Sequence, residues 1–133
     1  MTETTGLLDT SVIIALETLR PIDEDSLPAR QFISVITLAE LRAGVLSAGD
    51  TETLSRRIRS LDAYSSIPAL PADEAAAEHW ARLRYRLVES GRRINVNDLW
   101  IASIALANDL PVVAQDHDFD VLDRLGGPEI IHV

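Results

Sequence analysis

The chain has 133 residues and contains neither cysteine nor lysine. Without cysteine it forms no disulfide and no thiolate metal site. Without lysine it has no phosphate-binding P-loop and no Schiff-base chemistry, since all 12 basic residues are arginine. Long apolar runs are also missing, because the stretch from Val12 to Leu16 is far shorter than a bilayer span. Residues 1–5 lack the features of a signal peptide, so we expect a cytoplasmic protein without membrane contact.

The composition is that of a folded protein, with 47% hydrophobic residues. At this length we expect one domain over residues 1–133, burying roughly two-thirds of its unfolded surface. The net charge is −9, from 21 acids and 12 basic residues. An acidic surface favours solubility and taken alone argues against nucleic acid. It is also consistent with acids that bind metal ions, because a bound cation inverts the local field.

Short apolar runs alternate with helical patterns, which is typical of an α/β fold with a mostly parallel sheet. The clearest helix has apolar residues at helical spacing and stops at Gly91. The predicted strands are 6–9, 32–36, 111–114 and 130–133, with 67–70 either a strand or a connector, and the predicted helices are 12–19, 37–47, 51–64, 73–89, 97–107 and 119–125.

Four acids stand where predicted strands end or helices begin: Asp9, Glu40, Asp98 and Asp116. Acids at the carboxyl ends of parallel strands point into one crevice of the sheet. Two carboxylates about 5 Å apart repel by roughly 3 kcal/mol at an effective dielectric near 20, so such a cluster needs a cation or a bound proton. Carboxylates in one crevice suit Mg²⁺ or Mn²⁺, which assist phosphate chemistry.

Three of these acids have an alternative role in starting a helix. Asp9 has the position of an N-cap. Thr37 and Glu40 have the spacing of a capping box, in which the Glu bonds back to the first amide. Asp98 in a first turn gains from the helix dipole, with Asn97 as the N-cap. The sequence leaves the choice between cap and metal ligand open.

Asp116 belongs to an alternating run with Asp118 and Asp120 that resembles the first half of an EF-hand loop. The EF-hand is excluded because its sixth position is Val121 rather than Gly and its twelfth is Gly127 rather than Glu. A solvated loop is the ordinary alternative. Asp116 is the favoured crevice acid, since it lies nearest the end of the predicted strand.

Together, these residues resemble a PIN domain, specifically the VapC-type ribonuclease toxins of toxin–antitoxin pairs. The resemblance covers essentially the whole chain, and the order and spacing of its segments make it strong. The segments that carry it are 7–11 (LLDTS), 34–41 (SVITLAEL), 97–102 (NDLWIA) and 112–119 (VVAQDHDF).

The resemblance implies specific roles for the acids. Asp9, Glu40, Asp98 and Asp116 correspond to the family's four catalytic acids, and the implied metal ligands are Asp9, Asp98, Asp116 and Asp118, the last for a second metal. Ser11 lies where the family often has a hydroxyl, which implies a substrate contact. The chain departs from the family pattern at residues 114–115, where it has Ala and Gln and many members of the family have Thr followed by Arg.

The resemblance also implies the fold and the biological role. The fold is a three-layer α/β/α PIN-like domain with a mostly parallel sheet of about four to five strands. The activity is Mg²⁺- or Mn²⁺-dependent hydrolysis of RNA phosphodiesters by the toxin of a type II pair. The implied partners are a VapB-type antitoxin and a second copy of the chain, forming a homodimer within a higher toxin–antitoxin complex. Val12, Ile13 and Leu16 are candidates for the antitoxin groove.

Basic contacts to RNA could come from two arginine clusters, whose ordinary alternative is solvation and ion pairing. The three histidines are dispersed along the sequence, which gives a catalytic triad little support. A receiver or haloacid-dehalogenase-type phosphotransferase is disfavoured by the absence of lysine. A catalytically inactive PIN-like interaction module, with acids that only cap helices, remains the alternative. The two arginine clusters are Arg56, Arg57 and Arg59, and Arg82 and Arg86. The three histidines are His79, His117 and His132.

Overall fold

The structure is a computed structural model that describes residues 3–133. Met1 and Thr2, the start of the segment in which no signal peptide was recognised, lie outside the described residues. The strands are β1 (Thr5–Leu8), β2 (Arg30–Ser34), β3 (Ala69–Leu70), β4 (Val112–Ala114) and β5 (Ile130–His132). The helices are α1 (Thr10–Glu17), α2 (Val35–Leu46), α3 (Thr51–Ser65), α4 (Glu74–Ser90) and α5 (Val96–Ala107), with short 3₁₀ helices at Glu24–Ser26 and Asp118–Leu122.

The strands form one parallel sheet in the order β3-β2-β1-β4-β5. Successive side chains of a strand point to opposite faces, so Leu7 and Leu8 of the central strand enter different cores. Leu7 packs with Val112 beneath α4 and α5, whereas Leu8 packs with Val113 beneath α1, α2 and α3. Both leucines are fully buried. This confirms the expected α/β/α layering and the parallel sheet.

The strand order also positions a crevice. β2 and β4 flank β1 on opposite sides, so the chain leaves β1 in one direction and later returns on the other. In open α/β sheets, ligand sites lie outside the carboxyl ends of the strands at such a reversal. Asp9 directly follows β1, and Asp116 stands two residues after the end of β4. The topology thus places the two acids at one edge of the sheet.

Local capping explains where the element boundaries differ from the sequence predictions. Val35 and Ile36 were predicted to end a strand but begin α2, because the Ser34 hydroxyl accepts a hydrogen bond from the Thr37 amide at 3.1 Å. Segment 67–70 contains a true strand, since Ala69 and Leu70 pair with β2.

The helix α4 has the ends that its sequence predicts. Asp73 accepts a hydrogen bond from the Ala76 amide at 3.0 Å, and Gly91 ends the helix with φ of +68°. This left-handed conformation costs glycine little because it has no Cβ atom. Across residues 3–133, none of the helices is both long and apolar enough to cross a membrane.

Candidate metal centre at the carboxyl edge of the sheet

Asp9 is an N-cap that is also buried. Its carboxylate accepts a hydrogen bond from the Ser11 amide at 3.2 Å, and the residue is only 5% exposed. Burial raises the pKa of Asp9, the hydrogen bonds to Ser11 oppose that rise, and the charges of Asp116 and Glu40 add to it. The capping role is therefore real, but one amide leaves much of the cost of this buried charge uncompensated.

Glu40 does not take part in the predicted capping box. Ser34, not Thr37, is the N-cap of α2, so Glu40 lies in the second turn of the helix. Its Oε1 accepts a hydrogen bond from the Thr10 hydroxyl at 2.8 Å, and Thr10 Oγ1 lies 3.0 Å from the buried Thr37 hydroxyl. The capping alternative for Glu40 is wrong. The contact instead orients its carboxylate towards the start of α1.

Asp98 lies in the first turn of α5 and is partly buried. Asn95, rather than the predicted Asn97, caps the helix by accepting from the Asn97 amide at 2.8 Å. Within residues 3–133 the Asp98 side chain has no hydrogen-bond partner. Burial raises the pKa of Asp98 to about 7, and the charges of the other four acids (Asp9, Asp118, Asp116 and Glu40) add to the rise.

The loop after β4 carries Asp116 and Asp118. The Asp118 amide donates to Asp116 Oδ1 at 3.2 Å, which closes the loop on itself. The Gln115 amide donates to Ser11 Oγ at 3.1 Å and so ties this loop to the start of α1. Ser11 therefore joins the two sides of the crevice, while its contact with a substrate stays a prediction.

All five predicted acids therefore share one electrostatic environment, although they come from four parts of the chain. They are not drawn tightly together. Within residues 3–133, one set of three potential ligands has all its donor atoms within 4.8 Å of one another, and it lies elsewhere, at His117, Asp120 and His132. Repulsion between like charges favours such spacing. Mg²⁺ usually keeps several waters and takes only one or two protein carboxylates, so these oxygen donors fit Mg²⁺ or Mn²⁺.

The arginines predicted to contact RNA are mostly engaged within the protein. Arg57 donates to the Gly44 carbonyl, Arg86 donates to the Leu125 carbonyl at 2.9 Å, and Arg82 pairs with Glu78 at 3.0 Å. The Arg82 contact is the ion pairing that was the ordinary alternative, whereas Arg57 and Arg86 bond to backbone carbonyls of the protein. Arg56 and Arg59 instead line a cavity between α1 and α3. A role for any of them in binding RNA stays a prediction.

The cluster of His117, Asp120 and His132 was not foreseen. Asp120 Oδ2 lies 3.1 Å from His117 Nδ1, and Asp120 Oδ1 lies 3.2 Å from His132 Nε2. The pairing of β4 with β5 places Ala114 opposite His132 and so brings the two distant histidines together. Only the three-residue spacing between His117 and Asp120 was visible in the sequence.

Comparison with known proteins agrees with this architecture. Residues 6–125 match the family described as the PIN domain. The chain is 49% identical over 132 residues to ribonuclease VapC5 of Mycobacterium tuberculosis, covering 99% of this chain and 98% of the relative. It is 36% identical over 125 residues to ribonuclease VapC1 of Haemophilus influenzae, covering 90% of each.

Solved structures show the same fold. A crystal structure of VapBC-5, a member of the VapBC family of toxin–antitoxin systems from Mycobacterium tuberculosis, aligns with a TM-score of 0.90 at 48% identity, covering 98% of this chain and 99% of that chain. VapBC-1 from nontypeable Haemophilus influenzae aligns with a TM-score of 0.77 at 27% identity over 96% of this chain and 97% of that chain. The domain match and the near-complete coverage of these relatives show that this chain belongs to the PIN-domain family, in its VapC group.

Proposed function

We propose that this protein is a Mg²⁺- or Mn²⁺-dependent endoribonuclease and the toxin of a type II toxin–antitoxin pair. One observation carries the proposal: five acids lie near enough at the carboxyl edge of the sheet to interact by charge, and burial together with the other four acids raises the pKa of Asp98 to about 7. A stable fold does not require such a concentration of charge. Perturbed carboxylates in a crevice are instead typical of catalytic sites. The ribonuclease relatives support the choice of RNA as substrate.

The metal ligands in this proposal are Asp9, Asp98 and Asp116, with Asp118 available for a second ion. A bound divalent cation would neutralise charge on the phosphate and acidify a bound water. The hydrogen bonds of the chain support this arrangement: Ser11 holds Asp9 through its amide and the β4 loop through its hydroxyl. Hydrogen bonds to Ser11 therefore hold both Asp9, after β1, and the loop after β4 that carries Asp116.

Glu40 has a different role in the proposal. Thr10 donates to its Oε1 atom, which leaves Oε2 to accept a proton from the water that attacks the phosphorus. The P–O bond of the RNA backbone then breaks, and the departing oxygen takes up a proton. Thr10 and Thr37 are buried, so the orientation of Glu40 is built into the packing of α1 against α2.

The test is cleavage of a mixed RNA pool with Mg²⁺ or Mn²⁺ by the wild type, Asp9→Asn and Asp98→Asn. Asp123→Asn serves as the matched surface control, since the Asp123 side chain is 80% exposed. We expect cutting by the wild type and the control, loss of cutting in both crevice variants, and loss in excess EDTA. Circular dichroism checks that each variant is folded.

Undiminished cutting by Asp98→Asn, or cutting in EDTA, would show that the acids are not the catalytic site. If no protein cuts the pool, calorimetric titration with Mn²⁺ is decisive. If the wild type binds Mn²⁺ and both Asn variants do not, the acids form a metal centre and the RNA pool lacked a suitable substrate. No binding by the wild type would leave the chain as an interaction module without a metal centre.

We also propose that a VapB-type antitoxin lies in the groove between α1 and α3. This cavity of about 430 Å³ is lined by both apolar and charged residues, and its apolar part includes Leu16 and Leu19, which are 40% and 90% exposed. Of the predicted groove residues, Leu16 and Ile13 line the cavity, but Ile13 is only 1% exposed and Val12 is fully buried, so Leu16 is the one that can contact a partner. The VapBC titles of the structural relatives support an antitoxin as the occupant.

Co-expression tests the groove. Leu19→Glu should leave RNA cleavage intact, because Leu19 lies beyond the end of α1, whereas rescue of growth by the antitoxin gene should be lost. Leu46→Glu, at an 88% exposed position at the end of α2 that does not line this groove, is the matched control and should preserve rescue. Rescue that survives Leu19→Glu would place the antitoxin on another surface.

The remaining parts of the proposal concern assembly and location. We propose a homodimer through the exposed apolar side chains Tyr85, Val88 and Val96 at α4 and α5, testable by light scattering after size exclusion. A single domain over residues 1–133 is supported by one sheet that joins strands from residue 5 to residue 132. A cytoplasmic location is proposed because that is where the RNA substrate would be met.

A further inference from the structure

We propose that His117, Asp120 and His132 form a second metal site, for Zn²⁺ rather than Mg²⁺, that fastens the loop after β4 to β5. The three side chains offer two imidazole nitrogens and one carboxylate, all within 4.8 Å of one another. This inference does not depend on the nuclease proposal, because none of these residues belongs to the acid crevice.

The ligand geometry favours a single ion. Asp120 stands between the two rings, with one oxygen 3.1 Å from His117 Nδ1 and the other 3.2 Å from His132 Nε2. The ring centroids are 4.5 Å apart and the ring planes are inclined by 35°. Zinc bonds to nitrogen and oxygen are about 2.0–2.2 Å long, so small side-chain rotations would bring all three donor atoms into one coordination shell.

The backbones that carry these ligands are already held in place. Asp120 follows His117 within one 3₁₀ turn, and its amide donates to the His117 carbonyl at 3.1 Å. His132 belongs to β5, whose neighbour Val133 donates to the Ala114 carbonyl at 3.0 Å. Little backbone order would have to be gained on binding, which lowers the entropic cost of forming the site.

The donor types decide which metal is expected. Two imidazoles with one carboxylate are a ligand set of zinc sites that keep an open position for water, and imidazole suits Zn²⁺ far better than Mg²⁺. The acid crevice offers oxygen donors alone, which suit Mg²⁺ and Mn²⁺. Two neighbouring sites of different chemistry would thus select different ions.

Internal hydrogen bonding alone is a weak explanation for the cluster. His117 and Asp120 side chains are 76% and 51% exposed, and ion pairs at such positions contribute little stability. A bound ion would instead connect the loop that carries Asp116 and Asp118 to the edge strand. The expected consequence is a higher melting temperature in the presence of Zn²⁺.

The experiment uses the untagged chain, stripped with EDTA and then kept in millimolar Mg²⁺ so that the acid crevice is supplied with its own ion. Calorimetric titration with ZnCl₂ should show one Zn²⁺ per chain. His117→Asn and His132→Asn should each weaken binding at least about tenfold, since even the loss of an outer contact to a metal ligand costs that much. His79→Asn, the third histidine, and Asp98→Asn should bind Zn²⁺ like the wild type.

Proton NMR of the wild type provides a readout that needs no variant. The chain has three histidines, so two of three ring signals should shift with Zn²⁺ while that of His79 stays unchanged. Zinc binding that persists in both histidine variants, or that disappears in Asp98→Asn, would overturn the proposal. So would the absence of zinc binding, or ring signals that do not respond.

Discussion

Replacement of Asp98 by Asn distinguishes two roles of this residue, a favourable charge at the start of a helix or an unfavourable charge in the acid crevice. The two roles predict opposite changes in the free energy of unfolding. An acid in a first turn favours the helix by about 0.3–1 kcal/mol, so its neutralisation should destabilise the protein. In the crevice, the charged form of Asp98 is disfavoured by burial and by four acids. Asn keeps the shape and removes the charge, so we expect a more stable metal-free protein at pH 8.

The sign and the pH window follow from the pKa. It is 3.8 for the ordinary residue and about 7 in the folded protein, so the native state holds this proton where the unfolded chain has lost it. Stability of the wild type therefore falls as the pH rises from about 4 to about 7 and changes little from this group outside that window. Asp98→Asn should remove this fall and match the wild type near pH 4.

The magnitude can be estimated from the same values. The difference between 3.8 and about 7 corresponds to about 4 kcal/mol at 1.36 kcal/mol per pKa unit. Asp98 is only partly buried, so solvent screening reduces this to about 2 kcal/mol. Loss of the helix-dipole interaction takes away up to about 1 kcal/mol. We expect a net stabilisation of about 1–2 kcal/mol at pH 8.

The assay is urea denaturation in EDTA at several pH values from 4 to 8, with Asp123→Asn as a surface control expected to stay within about 0.5 kcal/mol of the wild type. A destabilised Asp98→Asn at pH 8 would refute the crevice argument and favour the helix-start role. An equal gain at pH 4 and pH 8 would show that charge is not the cause.

Four further predictions concern other parts of the molecule. Mg²⁺ should raise the melting temperature of the wild type but hardly that of Asp98→Asn, measured by calorimetry; equal responses would mean that Asp98 is not a ligand. Glu40→Gln should keep the Thr10 hydrogen bond and the fold but lose RNA cleavage, and full cleavage by this variant would exclude Glu40 as the base. Gly91→Ala should lower the free energy of unfolding by about 1 kcal/mol in urea, because φ of +68° strains a residue with a Cβ atom even though the space around it is open. Arg86→Ala should cost about 1 kcal/mol through the lost bond to Leu125 while leaving cleavage unchanged, so a cleavage defect in a folded variant would assign Arg86 to RNA binding instead.

Periodicity and capping chemistry were enough to predict most of the helices and strands. Asp73 and Gly91 mark the ends of α4 in the sequence because one offers a cap acceptor and the other tolerates a left-handed backbone. The predicted start of α2 was wrong because two neighbouring residues could each cap this helix. Ser34 and Thr37 are both suitable, and only the entry of β2 into the sheet selects Ser34.

The composition and order of the acids determined which kind of site to expect, since oxygen donors without cysteine or lysine restrict both the metal and the chemistry. The role of each acid depended on contacts between distant residues. Glu40 meets Thr10 across 30 positions of sequence, and the pKa of Asp98 depends on acids from three other parts of the chain.

Only the tertiary structure revealed that two of the three histidines lie together. His117 and His132 are far apart in the sequence, and parallel pairing of β4 with β5 brings them onto the same carboxylate of Asp120. Local patterns record the period of a helix or strand, because that signal acts between near neighbours. Which strands become neighbours is decided by burial of the whole sheet between two helical layers, so a site built across strands is visible only once the chain has folded.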